Sequence, residues 1–486
     1  PWVNWENLPE RYRDSMKPLW RDYGLFTLSG SEGRLGGGKK DLCMLFTYAV
    51  LDRYLRDKGR LGFVITQSVF KSEGAGDGFR RLRYERDGET WRLKPLVVHD
   101  MGTMQVFEGA TNRTAVFVCE KTRKPFRYPV KYRLWQGKSR VPQDEALETV
   151  VATTQQRRIA ARPIRTSKRS SPWLTVSRSV LPGISKVVGQ SAYTAYEGVN
   201  TGGLNGCFWV RVLQKRPNGQ ILVENLHDVG KIKLPAVQAV IEPDLVYPLV
   251  RGRDVGRWRA WPSAHMILAQ DPSTRRGIPE EEMKRQWPKT FAYLKRFEGD
   301  PSEPVRGTLR GRALYRRYYK PSDPFYSMYN VGWQTIDQTK VFWRQFVPRL
   351  SMSVCLPVKS KELGRKVPIT QHVVTICRFD STEEALFFCA CGNSSPATLL
   401  HAMSSTGKSF GQPLVLKSIA IPRFRPKDRR HARLAELAGR CYALAGSERE
   451  AGVLAAFERE IDEEAGSLWG ITRNQLEAIQ GALASL

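Results

Sequence analysis

The sequence predicts an α/β fold: the second half of an open sheet, then an α+β domain, then a helical C-terminus. A helix, an apolar strand, a brief helix and two more apolar strands follow one another between residues 41 and 119. Short alternating segments broken by Gly and Pro fill the middle of the chain. An Ala/Glu/Leu/Arg periodicity runs from about 429 to 486 and predicts helices.

The composition is that of a folded protein with a polyanionic partner. A length of 486 residues suits two or three domains, and 41% of the residues are hydrophobic, as in globular proteins. Lys and Arg number 77 against 48 Asp and Glu, which gives a formal net charge of +29. Because basic side chains neutralise phosphate and aromatic rings stack on bases, we expect a nucleic-acid partner.

Cysteine spacing and hydropathy argue against a metal-binding, a secreted or a membrane protein. The eight Cys are scattered, and only Cys389 and Cys391 are near neighbours, so we expect reduced core thiols and no metal site. The sequence has neither an apolar run of about 18 residues nor a signal-peptide pattern. We therefore expect a cytoplasmic protein that does not engage a membrane.

The first domain begins with a polar stretch from 9 to 40, predicted to be irregular. It ends in a Gly-rich run from 29 to 40, which lacks the phosphate-loop spacing and predicts a surface loop. Apolar residues at helical spacing then predict an amphipathic helix from Asp41 to Leu55, with Asp41 as its cap. The elements that follow are strands at 59–66, 96–100 and 114–119 and a brief helix at 79–82.

The remaining chain divides by composition. Residues 121–172 are rich in Arg and poor in apolar pattern, which indicates a passage into a second domain. A strand-like segment at 206–212 and a helical patch from Glu280 to Phe297 belong to that domain. The predicted divisions are a first domain at 1–135, a basic linker at 136–172, a second domain at 173–425 and a helical region at 426–486.

Five short segments in a fixed order carry a family resemblance: Pro1-Trp2, Lys40–Phe46, Gly59–Phe63, Val106–Ala110 and Thr114–Val118. They resemble the second half of the gamma-class adenine-N6 DNA methyltransferases of type IIG, type I and phage-defence systems. The resemblance spans about the first 120 residues. It implies a Rossmann-like methyltransferase sheet, of which 1–135 is the C-terminal part, with S-adenosyl-L-methionine as donor and double-stranded DNA as substrate.

The resemblance implies catalytic roles for Pro1, Trp2 and Phe107. The family's Asn-Pro-Pro-aromatic motif would end at Trp2, which would form one wall of a slot for a flipped adenine, and Phe107 would form the other. The exocyclic amine of adenine is a weak nucleophile, so it needs hydrogen-bond acceptors and a methyl donor held in line. Stacking holds the flipped base, at about 1–3 kcal/mol per aromatic contact.

Two further expectations concern groups beside this slot. The family's donor-binding Phe-x-Gly-x-Gly motif would lie upstream of residue 1, and no GxGxxG-type loop in the sequence replaces it. We expect that half to precede Pro1 in the molecule, because a natural boundary would not divide two prolines of a catalytic motif. His99-Asp100 is expected to be structural, because methylation of this amine needs little help from a histidine.

Three later segments, at 196–203, 248–255 and 419–424, resemble the target-recognition domain of the same enzymes. The resemblance implies Gly-rich turns that bring backbone and Arg side chains against DNA. Such side chains contact phosphates or read guanine in the major groove. The candidate DNA-binding residues are Arg251, Arg253, Arg257, Arg316, Arg317, Lys320 and Lys408.

The leading hypothesis is an adenine-N6 DNA methyltransferase that marks host DNA in a restriction–modification or phage-defence system, with other subunits of that system as candidate partners. Two alternatives stay open. The chain is the modification part of a combined restriction–modification endonuclease, or it is a non-catalytic DNA-specificity subunit with a degenerate methyltransferase remnant. The segment ahead of Pro1 and the enzymatic activity of the full polypeptide discriminate among the three.

Overall fold

A computed structural model describes most of the chain. The described ranges are 2–26, 40–104, 106–107, 113–137, 145–230, 232–303, 305–347, 349–404 and 413–485. Pro1, Lys408, residues 108–110 and the Gly-rich run up to residue 39 lie outside these ranges. In the part that is described, no helix is long and apolar enough to cross a membrane.

Helices and strands are numbered here in chain order. The helices are α1 (Glu10–Asp22), α2 (Leu42–Tyr54), α3 (Ser68–Lys71), α4 (Leu147–Thr153), α5 (Leu181–Val187), α6 (Asn205–Phe208), α7 (Glu280–Gln286), α8 (Pro288–Lys295), α9 (Ala313–Tyr318), α10 (Trp333–Ile336), α11 (Thr382–Asn393), α12 (Ser395–Ser404), α13 (Arg429–Leu444), α14 (Ala451–Leu468) and α15 (Arg473–Ala484). The strands are β1 (Arg60–Thr66), β2 (Arg83–Arg86), β3 (Glu89–Asp100), β4 (Thr114–Thr122), β5 (Val130–Gln136), β6 (Gln155–Pro163), β7 (Trp173–Val176), β8 (Ala195–Glu197), β9 (Trp209–Lys215), β10 (Ile221–Asn225), β11 (Gln238–Ile241), β12 (Val246–Val250), β13 (Trp258–Arg259), β14 (Ala264–Ile267), β15 (Gln270–Asp271), β16 (Arg276–Gly277), β17 (Thr339–Arg344), β18 (Met352–Cys355), β19 (Val358–Ser360), β20 (Gly364–Lys366), β21 (Ile369–Thr370) and β22 (Val374–Phe379).

The first of two compact units comprises Pro1–Gly189, Leu399–Lys408 and Ile471–Leu486. Its sheet has the strand order β1-β4-β3-β5-β6-β7, with β2 paired to β3. The β3–β5 pair is parallel and the other pairs are antiparallel. One face carries a row of core side chains that lie opposite one another in register: Phe63, Phe117, Val98, Tyr132 and Ile159.

The elements predicted between residues 41 and 119 are confirmed. The predicted helix is α2, the predicted strands are β1, β3 and β4, and the brief helix is a 3-10 turn at Phe79–Arg81. Asp41 occupies the predicted N-cap position of α2, but its side chain bonds to none of the helix N–H groups. Its carboxylate instead accepts a hydrogen bond from Thr66 Oγ1 at 2.6 Å, which links the start of α2 to the end of β1.

The irregular structure predicted from residue 9 onward is wrong at its start, where α1 forms. Met16, Leu19, Trp20 and Tyr23 recur at helical spacing, and Trp20 and Tyr23 are buried in the core of the first unit. Most of the other residues are charged or polar, and Pro18 lies inside the helix. The apolar stripe is therefore narrow and easily overlooked, because a proline is normally a reason to end a helix.

Strand β6 lies within the segment predicted as a basic linker, and it pairs with both β5 and β7. Arg158 and Arg162 alternate with residues that reach the core, of which Ile159 packs on the core and Ala161 is buried. Alternation of apolar and charged residues is the pattern of a half-buried strand. In β6 this pattern is weak, because the apolar residues are few and mostly small. The compact unit accordingly continues to Gly189.

The second unit comprises Gln190–Thr398 and Ser409–Gly470. It contains a six-stranded sheet, β11-β10-β9-β14-β12-β21, and a five-stranded sheet, β13-β18-β17-β22-β8. The core of the larger sheet includes Phe208, Trp209 and Met266. Helix α13 packs against α11 and α14, so the predicted helical C-terminus is confirmed, whereas α15 belongs to the first unit. The chain as a whole has a mixed α/β fold.

Candidate active site and nucleic-acid interface

Two aromatic side chains that lie far apart in the sequence meet in the first unit. The ring centroids of Trp2 and Phe107 are 4.8 Å apart, and their planes are tilted by 58°. The Trp2 indole Nε1 donates to the carbonyl oxygen of Val64 at 3.3 Å, which ties this ring to β1. The rings contact each other, whereas a base between them needs about 7 Å, two van der Waals separations. Their role as the walls of a base slot stays a prediction.

The backbone after Trp2 is held at the start of α2. Asn4 and Asp41 form an antiparallel bridge, and the backbone N–H of Trp5 donates to the carbonyl oxygen of Lys40 at 2.7 Å. Burial lowers the pKa of Lys40 to about 8 and raises the pKa of the Asp41 carboxyl. The Lys-Asp pair that carried part of the family resemblance is therefore a buried anchor for the Trp2 segment.

Asp100, at the end of β3, anchors the segment that leads to Phe107. It is buried, and its Oδ1 accepts from the backbone N–H of Gly102 at 2.8 Å. Its Oδ2 accepts from Gln67 Nε2 at 2.7 Å and from the hydroxyl of Tyr132 at 2.5 Å. Three donors, one just after β1, one just after β3 and one on β5, thus converge on one carboxylate, which fixes where the segment leaves the sheet.

Replacing Asp100 with Ala is expected to destabilise the first unit by about 2–4 kcal/mol, because the donors of Gln67, Tyr132 and Gly102 lose a charged acceptor. Urea denaturation followed by circular dichroism measures this free energy of unfolding. Asp14 is an exposed aspartate on α1, and its replacement by Ala should change the same quantity by less than about 0.5 kcal/mol. Equal free energies of unfolding for the two variants would contradict the anchoring role of Asp100.

His99 has the structural setting that the sequence suggested. Its Nδ1 accepts a hydrogen bond from Trp135 Nε1 at 3.0 Å. Burial and the neighbouring Arg133 guanidinium lower the pKa of His99, which keeps the imidazole neutral at physiological pH. Sequence reasoning missed Gln67, although a polar residue directly after the apolar strand β1 is the signal that could have indicated it.

In the second unit, two segments predicted to contact DNA come together. Asn200, in the Gly-rich segment 196–203, exchanges backbone hydrogen bonds of 2.9 and 3.0 Å with Tyr329. Tyr329 stacks on Tyr318 with centroids 4.8 Å apart and planes 15° apart, and the Arg317 guanidinium lies 5.3 Å from the Tyr318 ring. Tyr318 and Tyr329 are 45% and 38% exposed, so these groups share one accessible surface, here called the Tyr318 surface.

Arg312 holds the Gly-rich turn beside this surface, and sequence reasoning did not single it out. It is buried, and its Nη1 donates to the carbonyl oxygen of Thr201 at 3.0 Å. Gly202 has a φ of +70°, and a Cβ added there would lie 3.0 Å from Arg312 Cδ, so the turn requires glycine. The guanidinium also donates to the carbonyl oxygens of Leu309, Phe325 and Ser327 at 2.7–2.8 Å.

Four of the predicted DNA-binding side chains are accessible. Arg316, Arg317 and Lys320 are exposed, and no side-chain ion pair joins them to another residue within the described ranges. The Arg253 side chain is 71% exposed and lies 3.8 Å from Asp254. These cationic groups are therefore available to an anionic ligand.

Two other residues predicted to bind DNA have partners within the second unit. Arg251 is buried, donates to Ser263 Oγ at 2.5 Å and lies 3.5 Å from the Asp254 carboxylate. Arg257 forms an ion pair with Glu458, on α14. Both guanidiniums are used inside the second unit, so we leave them out of the proposed DNA contacts. Lys408 and Pro1 lie outside the described residues.

All eight cysteines are free and buried. Burial raises the pKa of their thiols, for example to about 12 at Cys43 and Cys207, which keeps them protonated and unreactive. Over the described ranges, no group of three or more His, Cys, Asp and Glu side chains has the arrangement of a metal site.

Among solved structures, the chain is similar in fold to a restriction–modification enzyme. That enzyme is the type IIL protein MmeI, whose structure was solved in complex with DNA. The alignment has a TM-score of 0.54 at 11% sequence identity and covers 100% of this chain and 56% of MmeI. The chain therefore spans about half the length of that protein.

Two further solved structures align less well. The type IIG restriction endonuclease BpuSI aligns over 96% of this chain and 53% of its own, with a TM-score of 0.30 at 12% identity. The ATP-dependent type ISP enzyme LlaBIII bound to DNA aligns over 90% and 28%, with a TM-score of 0.34 at 10% identity. Scores this low support no conclusion about fold. No protein-family model and no curated protein matches the sequence.

Proposed function

We propose that the chain is the catalytic second half and the recognition domain of an S-adenosyl-L-methionine-dependent adenine-N6 DNA methyltransferase in a restriction–modification or phage-defence system. The contact between Trp2 and Phe107 carries this proposal. The family resemblance assigned these two residues to one slot, and their rings lie 4.8 Å apart. The fold likeness to a restriction–modification enzyme and the net charge of +29 support the choice of DNA as substrate.

In the proposed mechanism the target adenine leaves the duplex and stacks between Trp2 and Phe107. The rings must first part by roughly 2 Å to reach the spacing of about 7 Å that a stacked base needs. Trp2 is hydrogen-bonded to Val64 of β1, so we expect Phe107 to be the ring that moves. Phe107 lies beyond Asp100, in the segment that has left the sheet. By the family pattern, the acceptors for the amine hydrogens are the carbonyl of Pro1 and the side-chain oxygen of an asparagine.

S-adenosyl-L-methionine, when bound, supplies the methyl group. Where β1 and β3 end, the polar groups of Gln67 and Asp100 are bonded to each other, so these two side chains do not offer contacts to a donor. They hold the ends of the two strands together. We therefore assign the binding and orientation of the base to the residues of this chain and, by the family pattern, assign the donor to the Phe-x-Gly-x-Gly motif of these enzymes.

The proposal predicts that the full-length polypeptide, with its donor-binding part, transfers a labelled methyl group from S-adenosyl-L-methionine to duplex DNA, with N6-methyladenine as the product identified by mass spectrometry. Duplexes without adenine serve as the matched control and should remain unlabelled. A protein that binds duplex DNA specifically but neither binds the donor nor methylates would instead be a DNA-specificity subunit. Magnesium-dependent cleavage together with methylation would assign the chain to a combined endonuclease.

A further inference from the structure

The face of the first-unit sheet opposite its core carries an unusual row of side chains. The residues that lie opposite one another in register across β1, β4, β3, β5 and β6 are Val64, Val116, His99, Arg133 and Arg158. Each is the chain neighbour of a core residue, and successive residues of a strand point to opposite faces. The row is apolar at β1 and becomes cationic at β5 and β6.

Arg133 and Arg158 are directly opposite each other on antiparallel strands, where Cβ atoms are about 5 Å apart and like charges repel. Lys131, two residues before Arg133 on β5, adds an exposed positive charge to the same face. In the described part of the chain, none of the three side chains has a hydrogen bond or an ion pair. The positive charge also reaches His99, whose pKa is lowered in part by Arg133.

Folding alone gives no reason for this arrangement. Surface cations are usually interspersed with carboxylates, as Lys94 and Glu120 are on β3 and β4, at 3.0 Å from each other. Like charges placed opposite one another destabilise the sheet unless an anion lies between them. The arrangement is therefore a sign of a bound anion, because groups that serve binding are often electrostatically unfavourable in the free protein.

We propose that Lys131, Arg133 and Arg158, here called the cationic row, bind the phosphate backbone of duplex DNA. The inference rests on the proposed function, which makes DNA the substrate of this chain. It adds a DNA contact in the first unit, separate from the Tyr318 surface of the second. Phosphodiesters are favoured over an acidic protein segment because they offer regularly spaced charges to side chains that stand on neighbouring strands of one sheet face.

The test replaces the whole row: Lys131→Gln, Arg133→Gln and Arg158→Gln in the full chain. Fluorescence anisotropy measures the affinity for one duplex at several salt concentrations. Each lost phosphate contact lowers the slope of log K against log salt by about 0.9, so the triple variant should lose roughly 2–3 from that slope. Affinity at 0.15 M salt should fall by about 100-fold, equally for duplexes of different sequence.

A matched control removes the same charge elsewhere in the first unit. Arg11, Lys17 and Arg21 are exposed on α1, and their replacement by Gln should leave the slope within about 1 of the unaltered chain. Melting temperature supplies an independent readout. The row variant should melt about 1–3 °C higher than the unaltered chain, because like-charge repulsion is relieved, whereas a structural role would lower its melting temperature.

The outcomes separate this inference from the proposed function. An unaltered chain that fails to bind DNA overturns the proposed function and this inference with it. If the unaltered chain binds DNA and the row variant has the same salt slope, the inference about the cationic row is overturned and the proposed function stands. A row variant that loses DNA affinity and also melts lower is misfolded at the sheet, which likewise overturns the inference.

Discussion

Replacing Phe107 with Ala is expected to lower kcat/KM for adenine methylation by about 5- to 150-fold, because stacking of one aromatic ring on a base contributes about 1–3 kcal/mol. Trp2→Ala should have an effect of the same size, since its ring meets Phe107 at 4.8 Å. DNA affinity should change by less than about threefold, because most protein–DNA contacts go to the backbone. Labelled-methyl incorporation and fluorescence anisotropy measure the two quantities.

Two controls sharpen this prediction. Trp2→Phe keeps an aromatic wall and should retain most of the activity, and Tyr54→Ala removes a ring that is 79% exposed at the end of α2 and should retain all of it. A duplex with a mismatch at the target adenine should partly rescue Phe107→Ala, because an unpaired base leaves the stack more easily. Full activity of both Phe107→Ala and Trp2→Ala would contradict the assignment of the slot.

The elements that the sequence predicted well are those in which one signal dominates. Helix α2 is a continuous run of mostly apolar residues, so its existence was predictable, but its buried side was not: Phe46 is 45% exposed, whereas Tyr48 is buried. Strand β1 is a short apolar run between polar residues. In β4, alternate residues are fully buried, which makes a strand with a strong hydrophobic signal. The juxtaposition of Trp2 and Phe107 came from family resemblance, because no local pattern indicates contact between residues so far apart.

Individual arginines differ in how far the sequence indicates their partners, and the reason is physical. Arg251 has its acid three residues away, at Asp254, and this local signal could have indicated a structural pair. Arg257 meets Glu458, which is remote in sequence, so its partner is visible only after folding. Arg312 was indistinguishable from Arg316 and Arg317, although it is buried and they are exposed.

Replacing Arg312 with Met is expected to destabilise the second unit by about 4 kcal/mol, since four buried carbonyl oxygens lose a charged donor and find no substitute. Burial lowers the pKa of Arg312 to about 10, which leaves the guanidinium charged at neutral pH. The carbonyl dipoles and the rings of Phe208 and Tyr315, at 5.4 and 5.7 Å, stabilise that charge. The melting temperature should fall by about 8–16 °C, measured by differential scanning calorimetry. Arg312→Lys should lose less, because an ammonium group donates to at most three carbonyls.

The matched control is Arg316→Met, at an exposed position of α9, where the change in stability should stay within about 0.5 kcal/mol. Equal melting temperatures for the Arg312 and Arg316 variants would contradict the structural role of Arg312. For DNA binding, measured under conditions where both variants are folded, the order should be reversed, so that the Arg316 variant shows the larger effect. Arg316→Met should reduce the salt dependence of binding by about one phosphate contact. Arg312→Lys should keep that salt dependence, because its charge lies inside the unit and acts on DNA only through the position of the Gly-rich turn.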